Sequence, residues 1–158
     1  MQKNQQGFSL IELLIVVAII LIIAAIAIPN LLRSRIAANQ ASAVGSLRVI
    51  TTAEVSYAST FNLGYSPNLA SLGPPSSGNP TTSAAGLIDS VLANGAKSGY
   101  QFVYSATSVN GIVSAYQVNA NPLTPGSTGQ NYYFTDHSGI IRQNDSGTAS
   151  ATDSPLAG

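Results

Sequence analysis

From Leu13 to Ile28 every residue is Leu, Ile, Val or Ala, and no polar side chain interrupts the run. Counted from Phe8 to Ile28 the apolar stretch is 21 residues long. A helix of that length rises ~30 Å, which matches the hydrocarbon thickness of a bilayer. Ile and Val weaken a helix in water. In lipid only a helix or a closed barrel satisfies the backbone, so they do not disfavour one here. The sequence predicts a membrane-spanning helix over 8–29.

One residue is out of place in that stretch. Glu12 brings a carboxylate into an apolar segment, where an unpaired charge costs roughly 2.5–3.5 kcal/mol. One reading has it near the helix end, snorkelling to the headgroups. The other makes it the partner of a positive charge on a second molecule.

The neighbouring letters favour the second reading. A polar leader, MQKNQQ, runs into Gly7, Phe8 and then Ser-Leu-Ile-Glu before the apolar helix. This arrangement closely resembles the class III signal of type IV pilins and the related secretion pseudopilins. The resemblance is strong from residue 5 to about 61 and weaker beyond. It implies cleavage by a prepilin peptidase between Gly7 and Phe8, and N-methylation of Phe8 by the same peptidase/methyltransferase. It also implies that Glu12 pairs with the Phe8 ammonium of a neighbouring subunit during filament assembly, and that Pro29 kinks the helix. The implied partners are further copies of the chain in a helical filament, inner-membrane assembly-platform proteins, and membrane lipid before assembly. The chain departs from the pattern in places. Lys3 is the leader's one basic side chain, Gln6 stands where Lys or Arg is common, and Leu21 stands where many members have glycine.

An ordinary secretory signal is a poorer fit. Its apolar core runs 7–15 residues, shorter than this one, and Pro29-Asn30 offers no small-x-small cleavage site. Arg33 and Arg35 follow the span, so the positive-inside rule does not by itself orient it. The resemblance places the N-terminus in the cytoplasm and the rest outside, with the surface filament as destination. Lys plus Arg equals Asp plus Glu at 6 each, which gives no strong nucleic-acid signature. Cysteine is absent, so burial and strand pairing must hold any folded domain without a disulfide.

Helical periodicity continues past Pro29. Ile36, Val44, Leu47, Ile50, Tyr57 and Phe61 fall at spacings of 8, 3, 3, 7 and 4, one face of a helix. The segment 30–61 therefore reads as the amphipathic half of a helix of about 50 residues. Gly and Pro punctuate 62–99, a connecting loop with few regular elements. Leu69 and Leu72 can pin a turn there, and Gly86 to Ala93 can form a short helix ending at Gly95. Over 100–143 the pattern turns strand-like. Tyr100, Phe102 and Tyr104 alternate with Gln101, Val103 and Ser105. Asn110-Gly111 signals a hairpin, with Ile112, Tyr116 and Val118 on one face of the return strand. Tyr132 to Thr135 and Ile140 to Arg142 follow, making about four antiparallel strands. The Ser-, Gly-, Thr- and Asp-rich segment 144–158 reads as a loosely ordered tail.

Nothing in the chain assembles into a catalytic or metal signature. His137 is the one histidine, placed in a turn, and zinc or nucleophilic chemistry needs further partners. The calcium site of major secretion pseudopilins needs clustered carboxylates, whereas Asp136, Asp145 and Asp153 are dispersed along the chain. No cofactor is expected.

The expected fold is α+β: a long N-terminal helix, half membrane-spanning and half amphipathic, packed on a small antiparallel sheet. Residues 1–7 form the leader. The expected function is that of a non-enzymatic filament subunit resembling type IV pilins. A type II secretion pseudopilin is the first alternative, suggested by the small size and the Gly64-to-Gly73 segment. A signal-anchored binding domain that never polymerises is the second.

Overall fold

The computed structural model describes residues 7–156. The leader residues 1–6, with Lys3 and Gln6, and the last two residues of the tail lie outside that range. The chain divides into two units, one ending at Arg35 and one beginning at Ile36. Helix α1 (Leu10–Phe61, 52 residues) contributes to both.

In the first unit the large apolar side chains from Phe8 to Leu32 are exposed. This part of α1 is long and apolar enough to cross a membrane. Pro29 lies inside the helix, which continues past it. Its ring carries no N–H for the Ala25 carbonyl, and, one residue on, Asn30 Nδ2 donates to the Ile26 carbonyl at 3.1 Å. The helix ends where Asn62 takes a left-handed φ of 54°, a conformation that Asn tolerates at a helix C-terminus.

In the second unit α1 has one covered face. Ala43, Leu47, Ile50, Ala53 and Tyr57 are buried there, together with Ile36. They belong to a core shared with Tyr100, Phe102, Tyr116, Val118, Ala120 and Tyr133. Those partners stand on an antiparallel sheet of five strands in sequential order: β1 (Ala96–Lys97), β2 (Tyr100–Val109), β3 (Ile112–Pro122), β4 (Tyr132–Asp136) and β5 (Arg142–Asn144). The Asn110-Gly111 turn has φ of 53° and 80°, both left-handed as a two-residue hairpin of this twist demands.

The sheet departs from expectation in three places. The extra strand is β1, which pairs Ala96 with Gln101 and Lys97 with Tyr100. Ser98 and Gly99, at φ 50° and 75°, make the second tight turn, and two residues are too few to show an alternation. Next, Ile112 is exposed and Val113 is buried in its stead. The register shifts between Thr107 and Ser108: Thr107 faces Ala115 while Ser108 faces Val113, leaving Ser114 over. One extra residue moves the end of the strand to the opposite face. Finally, the last strand begins at Arg142 rather than Ile140, because the turn at Gly139 (φ 74°) consumes the two isoleucines.

The connection 62–99 does more than join. It contains a 3₁₀ turn (Leu69–Leu72) capped by Asn68, whose Oδ1 accepts from the Ser71 N–H at 2.9 Å. It also contains α2 (Ser90–Ala93), capped by Asp89 through the Leu92 N–H at 2.9 Å. Leu72 and Leu92 are fully buried, each burial contributing ~1.5–3 kcal/mol. Gly129 is required by contact: a Cβ there would run into the ring of Tyr100.

The segment from Asn144, expected to be loose, folds back on the sheet. Asn119 Nδ2 donates to the Ala149 carbonyl at 2.6 Å, and the Leu156 N–H donates to the Ile141 carbonyl at 2.8 Å. Arg142 Nη1 reaches the Asp153 carbonyl at 2.8 Å. Ala149 is buried.

Candidate functional site

The sequence-predicted site lies at the start of α1. Gly7, Phe8 and Ser9 precede the helix, and Phe8 is 91% exposed. Phe8 is therefore outside the helical geometry that would set it beside Glu12 one turn on, and in the uncut chain its nitrogen is an amide bonded to Gly7. Glu12 turns instead to the backbone: its Oε2 accepts from the Ser9 N–H at 2.8 Å. Ser9 Oγ in turn accepts from the Ile11 N–H at 3.4 Å. Ser9-Leu-Ile-Glu12 thus forms a capping arrangement, with a hydroxyl at the N-cap and a carboxylate three residues on. The letters S-x-x-E before an apolar run were the available sign of it. The carboxylate also sits where the helix presents its positive end.

The dispersed acids do not converge. Asp145 and Asp153 line one polar recess of about 330 Å³ with Asn131, Gln143, Asn144, Ser146 and Ser154. Asp136 and His137 line a different one. Among the described residues no three His, Cys, Asp or Glu side chains come together as a metal would require. Asp153 is occupied within the chain: Ser150 N–H donates to its Oδ2 at 2.7 Å and Asn144 Nδ2 to its Oδ1 at 2.9 Å. Hydrogen bonds from Ser150, backbone and hydroxyl, with that of Asn144, hold its carboxyl below the ordinary range.

A constellation that sequence reasoning missed lies in the second unit. Glu54 is fully buried on the core face of α1, and among the described residues it is the one buried Asp, Glu, Lys, Arg or His. Its Oε2 accepts from the Ser66 N–H at 2.8 Å. Its Oε1 accepts from Ser66 Oγ at 2.6 Å and from the Tyr104 hydroxyl at 2.8 Å. One side chain thus ties α1 to the connection and to β2. Burial pushes its carboxyl above the usual range, against the lowering effect of the Ser66 and Tyr104 bonds. Around it Tyr104 stacks on Tyr116 at 5.8 Å, and Tyr116 meets Tyr65 edge-on at 4.9 Å. Burial lifts the Tyr116 phenol to about 12 and that of Tyr104 further still. The sign in the sequence was the gap of seven between Ile50 and Tyr57 in the apolar stripe.

Comparison with known proteins bears on the N-terminal segment. The prokaryotic N-terminal methylation motif matches residues 2–28, which include Gly7, Phe8 and Glu12. Over that segment the chain is similar to type IV major pilins. Over 54 residues it is 50% identical to the type IV major pilin protein PilA of Myxococcus xanthus, covering 34% of this chain and 24% of that protein. Over 37 residues it is 65% identical to the type IV wide pilus major component PilA4 of Thermus thermophilus, covering 23% of this chain and 28% of that one. The matches thus span about a quarter of the length of these relatives. No solved structure matches the chain. The N-terminal methylation motif and the folded second unit are therefore known by different routes, the first by likeness and the second by its own geometry.

Proposed function

We propose that the chain is a structural subunit of a type IV pilus-like filament, assembled through residues 8–29. The observation that carries this reading is an uncovered apolar surface from Phe8 to Leu32 that lies in and beyond an N-terminal methylation motif. Water cannot be its resting environment, because exposed apolar area on this scale is unfavourable by ~25 cal/mol per Å². Lipid covers it before assembly, in a single inner-membrane pass with the second unit outside. Copies of the same helix cover it afterwards at the cell surface. A peptidase cuts between Gly7 and Phe8, Phe8 is methylated, and the ammonium so created meets Glu12 of a neighbour on the assembly platform. Pro29 supplies a bend where a backbone hydrogen bond is already missing. The role is scaffolding rather than catalysis.

The Ser9 cap supports this sequence of events. It gives Glu12 a neutral backbone partner while the chain is single, so the carboxylate is held until an ammonium replaces that partner. The second reading, a type II secretion pseudopilus subunit, rests on the short chain and on the Gly64-to-Gly73 segment with its capped 3₁₀ turn.

Intact-mass analysis of protein sheared from cell surfaces tests the proposal. It should show a chain that begins at methylated Phe8, and Gly7→Val should leave the precursor uncut. Material in the sheared fraction supports the pilus, whereas a processed chain confined to the envelope supports the pseudopilus. A wild-type protein that begins at Met1 overturns both.

A further inference from the structure

Glu54 has a property that its hydrogen bonds alone do not explain. Three oxygens, Glu54 Oε1, Ser66 Oγ and Tyr104 Oη, lie within 3.2 Å of one another. Two backbone carbonyls stand by as alternative acceptors. Tyr104 Oη is 2.8 Å from the Ser66 carbonyl, and Ser66 Oγ is 3.1 Å from that of Asn68. The protons can be counted in two ways. With the carboxylate ionised, both hydroxyls point at Oε1. With it protonated, the carboxyl donates to Tyr104 Oη, Tyr104 turns to the Ser66 carbonyl, and Ser66 turns to that of Asn68. Each pattern satisfies every donor, and the Ser66 N–H stays on Oε2 throughout.

The surroundings choose between the two patterns. Tyr57 faces Glu54 from α1, Tyr104 from β2 and Tyr116 from β3. All three are neutral phenols. Among the described residues no Lys, Arg or His bonds to Glu54, and the one ion pair there, Lys97–Asp89, lies elsewhere on the surface. A buried charge without a cation is the less stable form of a carboxyl. We infer that Glu54 carries a proton in the folded domain, and that releasing it loosens residues 62–68 from α1, making a proton-governed latch. When the latch lets go, the Tyr65 N–H on the Val113 carbonyl, at 3.0 Å, still holds the segment to β3, and the Asn62 N–H on the Ala58 carbonyl, at 3.1 Å, holds its start to α1.

The sign follows from linkage. The folded carboxyl titrates above its ordinary 4.5, so between that value and its own the native state binds more protons than the opened one. Opening becomes easier as pH rises through this window, by up to tenfold per unit for one proton, and is constant above it.

The chain has two glutamates, Glu12 and Glu54, which makes the test direct. In the full-length protein in detergent micelles, ¹³C-labelled glutamate gives two side-chain carboxyl signals, and Glu12→Gln leaves that of Glu54 alone. Its titration should lie above 4.5. Hydrogen exchange at the Ser66 amide, corrected for the pH dependence of the chemical step, should lose protection as pH rises through that window. Glu54→Gln keeps an acceptor for that amide and should give pH-independent protection. A Glu54 signal already ionised at the ordinary value overturns the inference even if Glu54→Gln fails to fold. So does a Ser66 protection that is flat in wild type or equally sloped in Glu54→Gln.

Discussion

The two parts of α1 are one element of secondary structure governed by different solvents. From Leu13 to Ile28 the helix is apolar all round and its large side chains are exposed. After Ile36 one face is apolar and covered by aromatic side chains from β2, β3 and β4, and the opposite face carries Arg48, Thr52 and Ser59. The apolar side chains of the first part are exposed, and on the proposed function lipid or further copies cover them. The second part is complete within the domain. Binding surface and folding core are thereby assigned to successive turns of a single helix, and each can be disturbed without the other.

Glu12 offers the largest effect by which this division can be broken. On the proposed assembly, removing it leaves an unpaired ammonium in every subunit of a dry bundle, at roughly 3–5 kcal/mol each. Glu12→Ala should be cut and inserted normally, yet yield no filaments in electron micrographs of sheared material, while the melting of the sheet domain stays unchanged. Co-expressed wild type should carry some mutant into filaments, because the mutant still offers its own ammonium. Ser9→Ala separates the cap from the assembly role: losing the N-cap hydroxyl costs ~1 kcal/mol, and filaments should persist. Wild-type filament abundance from Glu12→Ala alone would reduce the carboxylate to its capping duty.

Phe102→Ala probes the other side of the division. Phe102 is buried between β2 and the core face of α1, and truncating a buried Phe costs ~3–5 kcal/mol. A melting temperature lower by ~10 °C or more follows for a domain of this size, read by circular dichroism of the full chain in micelles. Processing at Gly7 should be untouched. An unchanged melting temperature would reverse the assigned faces of β2.

What could be read from the letters alone follows the same division. The apolar run, the Asn110-Gly111 turn and the alternation of Tyr100, Phe102 and Tyr104 are periodic signals, and the structure places these residues as expected. The features that escaped lack a period. Glu54 sits in the apolar stripe as a polar residue, so counting hydrophobics passes over it, although the spacing of seven marked the place. The bulge at Ser114 depends on which residues pair across strands, and that is not written in one strand. The turn at Leu69–Leu72 and the short helix before Gly95 were legible, but the full burial of Leu72 and Leu92 in a stretch dominated by Gly and Pro is decided by tertiary contact. At the N-terminus the Ser9–Glu12 cap was legible, but the stronger resemblance drew the carboxylate to a different role.

The smallest expected effect concerns the folded-back tail, and it gives the domain two opposite responses to pH. Asp153 is half-buried and held by Ser150, Asn144 and, at its carbonyl, Arg142. Its carboxyl titrates below the ordinary 3.8, because the ionised form accepts those bonds. For a depressed carboxyl the contribution is fully present above the unfolded value and is lost as pH falls through the folded one. Protection of the Leu156 amide, which bonds the Ile141 carbonyl, should therefore be flat above 3.8 and decline below it. Ser66, held by Glu54, should move the other way, losing protection as pH rises from 4.5. The two amides lie in one domain, so a global change in stability would shift both together. Asp153→Asn should lower Leu156 protection at neutral pH by a small factor, leave Ser66 alone, and remove the acid limb. If Leu156 protection in wild type keeps no acid limb, the tail is held by its backbone and Asn119 bonds, and Asp153 is incidental to it.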